Sequence, residues 1–119
     1  MKRSRWFEAE GHVGQWAFVL HRLSGLGLVL YLGLHLILLG QLRDGPMAWE
    51  AFLQVARSPV ILALDGLLLG AVTFHGLNGL RLTLVGFGRG LNWQNQLFWV
   101  TLGLSIILTG GIGLAMLRR

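Results

Sequence analysis

Apolar residues fill this chain in three long blocks, and most polar positions fall between them. Stretches free of Lys, Arg, Asp and Glu run from Leu23 to Leu42, from Gly66 to Leu80 and from Leu91 to Leu117. A bilayer's hydrocarbon core is about 30 Å thick and takes roughly 20 apolar residues of helix to cross. The pattern predicts an all-α membrane protein with three transmembrane helices, over 16–41, 59–85 and 92–117. Arg43-Asp44-Gly45-Pro46 combines charge with two helix punctuators and ends the first span. Met47, Phe52 and Val55, set against Glu50 and Gln54, predict a short amphipathic helix on the membrane surface over 47–56. Ser58-Pro59 reads as a helix start, with Ser58 capping and Pro59 in the first turn. Gly86, Gly88 and Gly90 form a turn before the third span. Residues 1–15 are polar with Trp6 and Phe7 and read as a surface segment, His12 among them, while Trp16, Trp93 and Trp99 suit interfacial anchors.

Into these spans the chain places His21, Arg22, His35, Asp65, His75 and Arg81. Ionisable groups in hydrocarbon cost roughly 3 kcal/mol each on insertion scales, and they normally mark a functional site. Histidine is a common axial ligand of haem iron, so His75 and His35 are candidate haem ligands. The plainer reading of each is a packing histidine bonded to a backbone carbonyl. That reading is stronger for His35, which has no charged companion within a turn. Arg22 and Arg81 either snorkel to the headgroups or pair with haem propionates or a quinone oxygen. His21 and Ser24 flank Arg22, and such a group of donors suits a quinone head. Asp65 is read as capping or pairing near the start of the second span, and Asn78, one turn from His75, as orienting a neighbour or packing.

Depth along the helices separates the two histidines. If Arg22 and Arg81 mark the same membrane face, His35 lies about 20 Å from that face and His75 about 9 Å, at 1.5 Å per residue. A difference of roughly 11 Å is too great for both to ligate one haem. Each would serve its own, with the opposite ligand from a partner chain. Among the 18 glycines, Gly66 and Gly70 form a small-xxx-small pair, Gly25, Gly27 and Gly33 line the first span, and Gly76 and Gly79 surround His75. Small residues let helices approach closely and leave room for a flat macrocycle.

Composition narrows the rest. At 119 residues, 54% hydrophobic and 13% charged, the chain has no room for a soluble domain beside three spans. It reads as a single membrane domain, 1–119, whose lipid-facing helices need another protein. The net charge of +5 sits at span ends and reads as a topology signal, not as a nucleic-acid surface. Lys2, Arg3, Arg5, Arg22, Arg81 and Arg89 fall on one side and Arg43, Arg57, Arg118 and Arg119 on the other, six against four, which favours a cytoplasmic N-terminus. Without cysteine, the chain offers no disulfide, thiolate or iron–sulfur ligand. Glu8, Glu10 and Gln15 interrupt the place of an apolar signal-peptide core, so the first span is expected to serve as an uncleaved insertion signal. No P-loop, nucleophile elbow or dinucleotide fingerprint is present.

Two motifs carry a family resemblance. Phe18-Val19-Leu20-His21-Arg22-Leu23-Ser24-Gly25 resembles the opening of the first span in cytochrome b membrane-anchor subunits of succinate dehydrogenase, respiratory complex II, where an HR-x-[ST]-G segment stands. Phe74-His75-Gly76-Leu77-Asn78-Gly79-Leu80-Arg81 resembles the second signature of that family, H-x3-G-x-R. The resemblance covers essentially the whole chain. It implies half of a haem-binding helical bundle completed by a second small membrane-anchor subunit, holding an iron–sulfur subunit and a flavoprotein subunit on the bacterial cytoplasmic membrane. It implies haem b with His75 as axial ligand, quinone as substrate, His21, Arg22 and Ser24 at the quinone or haem propionates, and Arg81 as a further propionate partner. Many members carry a Ser where this chain has Phe18, so Ser24 substitutes only in part. A histidine late in the first span, here His35, resembles the two-haem members, so two haems are expected. A trimer of complexes is an assembly the sequence leaves open.

Three readings compete with a haem-bearing anchor of a succinate:quinone oxidoreductase: the same anchor in a fumarate reductase, a haem-free structural anchor, and a small transporter component using Asp65 and the histidines. The transporter reading asks for acidic residues along a path, and Asp65 alone is available.

Overall fold

The computed structural model describes residues 13–118. The expected surface segment falls mainly on residues 1–12, outside the described residues, as does His12. The described chain runs α1 (Val13–Leu39), a 3-10 turn (Gly40–Asp44), α2 (Pro46–Ala56), α3 (Pro59–Gly86), a second 3-10 turn (Leu91–Trp93) and α4 (Gln94–Leu117), with no strand among the described residues. Three segments, Val13–Asp44, Pro59–Gly86 and Leu91–Leu117, are long and apolar enough to cross a membrane. Residues 13–15, expected on the surface, belong to α1.

Local chemistry explains the breaks. Gly45 takes φ +92°, a value that L side chains rarely adopt, and its carbonyl accepts the first hydrogen bond of α2 from Trp49 at 3.2 Å. Pro46 and Pro59 stand at the first positions of α2 and α3, where a missing N–H costs nothing. Ser58 occupies the cap position of α3 in extended conformation, but its hydroxyl makes no capping bond; its carbonyl accepts from Leu62 at 3.0 Å. Asp65 lies beyond the first turn of α3, which holds no acidic residue, so it does not cap the helix. At the far end of α3, Gly88 takes φ +74° and donates to Val85 O, while Arg89 donates to Leu84 O. This paired closure satisfies carbonyls that the helix end would otherwise leave bare.

The packing is inverted relative to a water-soluble domain. Leu, Ile and Val cover the outside, with Leu30, Leu67 and Ile107 among the most exposed. The buried residues are Ala17, Phe74 and Phe98 together with Asn78, Arg81, Thr101 and Ser105. In lipid the exterior is apolar and polar groups must find partners inside the bundle. Central α3 packs along both α1 and α4, which touch each other much less. Thr73 and Thr109 share a hydrogen bond at 2.9 Å across α3 and α4, and Gly70 faces Thr109. Of the glycines expected to bring helices together, Gly25, Gly70 and Gly79 meet a neighbouring side chain, whereas Gly27, Gly33, Gly66 and Gly76 face open space.

Candidate functional site

His21 and Ser24 of α1 meet His75 of α3 beside Gly25. The imidazoles of His21 and His75 stack with centroids 4.0 Å apart and planes 6° from parallel. Two glycines make this possible. A Cβ at Gly25 would stand 3.0 Å from Cε1 of His75, and one at Gly79 would stand 3.8 Å from Cε1 of His21. Each ring thus fills the notch left by a glycine on the opposite helix.

Hydrogen bonds define the state of His75. Its Nδ1 lies 3.1 Å from the carbonyl oxygen of His21 and 3.1 Å from Oγ of Ser24. A carbonyl oxygen only accepts, so Nδ1 carries the proton. In the neutral ring the lone pair is then on Nε2, the nitrogen left for a metal. His75 is thus bonded to a backbone carbonyl, and that bond does not compete with ligation at Nε2. An Nδ1–H tied to a carbonyl is the usual outer support of a ligating imidazole. Among the described residues no group of three or more His, Asp or Glu could hold a metal ion. Haem iron, however, asks the protein only for axial ligands.

Six residues along α3, about 9 Å, Arg81 is buried with 7% of its surface exposed. It does not snorkel. Its Nε donates to Oδ1 of fully buried Asn78 at 2.9 Å, and its guanidinium lies 5.9 Å from the centroid of the Phe98 ring. Asn78 thus orients a neighbour, and that neighbour is Arg81. These partners are neutral, and a buried charge in a membrane protein calls for an opposite one. Two further buried atoms, Nδ1 of His21 and Nδ2 of Asn78, have no hydrogen-bond partner among the described residues. The donor set of one lone pair and one cation fits a haem with its iron and propionates.

Arg22 stands apart from this group. It is exposed, with its guanidinium 5.5 Å from the Phe18 ring. One step along a helix turns a side chain by about 100°, so His21 and Ser24 face α3 while Arg22 faces away. Arg22 thus lies on a different face of α1 from His21 and Ser24, with which it was expected to form a donor cluster. The depth count also changes. Arg22 and Arg81 do not mark one level, because with His75 beside Gly25 the antiparallel register puts Arg81 level with about Val19. His75 lies level with Gly25, so His35 is ten residues farther along α1, about 15 Å instead of 11 Å.

His35 is exposed and stacks on Tyr31, one turn earlier, with centroids 5.5 Å apart. The Oη to Nδ1 distance of 3.5 Å is at the limit of a hydrogen bond. Sequence reading passed over Tyr31, although its i,i+4 spacing from His35 is the signal of a shared helix face. Both residues line a groove of about 1230 Å³. Asp65 of α3, Trp49 and Phe52 of α2 and Thr109 of α4 line it too. Ser24, which contacts His75, and Phe74 line it as well.

The sequence matches the family described as succinate dehydrogenase/fumarate reductase transmembrane subunit over residues 4–112. It is 31% identical over 99 residues to the succinate dehydrogenase 2 membrane subunit SdhC of Mycobacterium tuberculosis, covering 82% of this chain and 73% of that one. It is 36% identical over 112 residues to the succinate dehydrogenase hydrophobic membrane anchor subunit of Halobacterium salinarum, covering 93% of this chain and 82% of that one.

Proposed function

The chain belongs to the succinate dehydrogenase/fumarate reductase transmembrane subunit family, and from that premise we propose that this succinate dehydrogenase membrane anchor holds haem b through His75 and helps form a quinone-reduction site. One observation carries the proposal. A single helix presents an imidazole with its Nδ1 proton tied back and, six residues on, a buried cation whose partners among the described residues are neutral. The imidazole would take haem iron at Nε2, and the guanidinium would take a propionate.

In this reading His75 holds the iron and Arg81 holds a propionate, with Asn78 fixing the guanidinium. Bound haem supplies a one-electron relay beside the quinone. His21 keeps its place against the His75 ring and borders the quinone. Arg22, outward on α1, reaches a quinone or propionate held at the boundary with another subunit. That other subunit is a second small membrane anchor, and the iron–sulfur and flavoprotein subunits dock on the cytoplasmic side. The six-to-four Lys and Arg distribution supports a cytoplasmic N-terminus, and the membrane is read as the bacterial cytoplasmic one. Both named relatives are succinate dehydrogenases, which favours succinate oxidation over fumarate reduction.

His35 is assigned to a second haem, completed by the partner anchor. Its outward position on a wide groove, about 15 Å along α1 from the His75 level, supports that assignment. The test is the ratio of haem b to covalent flavin in the detergent-purified complex, by pyridine haemochrome and flavin fluorescence. Two haems per flavin are expected. One haem would return His35 to a packing role, and none with flavin retained would leave a bare structural anchor.

A further inference from the structure

We infer that Ser24 is a positioning residue for His75, acting on its imidazole together with the His21 carbonyl rather than donating to quinone. The inference rests on the reading of His75 as a haem ligand.

Ser24 Oγ lies 2.9 Å from the carbonyl oxygen of His21, to which it donates, and 3.1 Å from Nδ1 of His75. A serine hydroxyl has one hydrogen and two lone pairs. The hydrogen goes to the carbonyl, so toward His75 the hydroxyl is an acceptor. The Nδ1–H therefore meets two acceptors at the same distance of 3.1 Å, one from the backbone and one from the side chain of the same helical turn. The arrangement fixes the tautomer and holds the ring plane against rotation. It also leaves Ser24 without a hydrogen for a quinone carbonyl, which accepts and does not donate.

The residues around this contact leave the ring little freedom. Gly25 allows Cε1 of His75 to come within 3.0 Å of where a Cβ would stand, and His21 covers one face of the ring at 4.0 Å. Hydrogen bonds accepted from the outer nitrogen raise the basicity of a ligating imidazole. A more basic ligand favours ferric over ferrous iron. Losing one of two acceptors shifts that balance toward ferrous.

The experiment compares wild type with Ser24→Ala, Ser24→Thr and His75→Ala in the intact purified complex, by redox titration of the haem b spectrum. Ser24→Ala is expected to raise the ferrous-to-ferric ratio at fixed potential about tenfold, a rise of about 59 mV in midpoint for one electron. Ser24→Thr keeps the hydroxyl and restores the wild-type midpoint. If the alanine variant does not assemble, Ser24→Cys repeats the test, because its thiol is only a weak acceptor. An unchanged midpoint in the variant lacking the hydroxyl, with or without a raised KM for quinone, overturns the inference. If His75→Ala keeps the full haem spectrum, the ligand assignment fails instead, so the two failures are told apart.

Discussion

The two ends of the α1–α3 pair carry similar residues and use them in opposite ways. At one end His21 and Ser24 of α1 meet His75 of α3, and Asn78 and Arg81 bond to each other along α3. At the other, Tyr31 and His35 turn outward onto a groove that Asp65 also lines. Unpaired polar groups are costly in hydrocarbon. The first end reduces that cost within the chain and so sets its geometry before any partner arrives. The second leaves its histidine for another molecule to complete. A preset ligand tolerates few substitutions, whereas an outward one depends on the partner that covers it.

His75→Ala should break this comparison most severely. With Nε2 gone, the haem at this end is expected to be lost completely, seen as a halved haem-to-flavin ratio in a complex that still retains flavin. A full haem spectrum would remove His75 from the ligand set. Next comes His35→Ala, which should remove the second haem and leave the redox midpoint of the first intact. The separation of about 15 Å along α1 is the reason the two should be independent. Loss of both haems from this one change would mean that the two ends are coupled.

Asn78→Ala probes the inner end without touching a ligand. It removes the acceptor from Arg81 Nε in a site where Asn78 is fully buried. A hydrogen bond to a charged group contributes about 1.5–3 kcal/mol. The variant is therefore expected to release haem at a lower temperature than wild type, while Asn78→Asp should hold Arg81 at least as well. Equal release temperatures for wild type and Asn78→Ala would mean that Arg81 is held from outside this chain.

The spans, the breaks at Gly45-Pro46 and Ser58-Pro59 and the identity of the ionisable residues were all legible in the sequence, because hydropathy and helix punctuation are local properties. The pairing of His21 with His75 was not. It depends on the crossing of α1 and α3, and nothing in either segment states which glycine notch receives which ring. The same gap hid the split between Arg22 and Arg81. Their positions at span ends look alike, yet one faces outward over Phe18 and the other lies beneath Phe98. The error in the depth of His35 followed from treating the two arginines as markers of one face. Tyr31 could have been found, since a residue four positions before a histidine on a helix shares its face.

The finest comparison lies between the two glycine notches. Gly25→Ala would bring a methyl to 3.0 Å from Cε1 of His75, whereas Gly79→Ala would place one 3.8 Å from Cε1 of His21, an ordinary contact. Both positions lie inside helices, where alanine is favoured over glycine by up to about 1 kcal/mol. That gain is common to the two variants, so any difference between them comes from the rings. His75 cannot yield easily, because Nδ1 is held by the His21 carbonyl and Ser24 and one face is covered by His21. Gly25→Ala should therefore cut haem content several-fold and broaden the haem spectrum, while Gly79→Ala should bind haem as wild type does. If the two variants retain haem equally, the His75 ring has room to move. Its preset orientation would then no longer separate the inner end of the pair from the outer one.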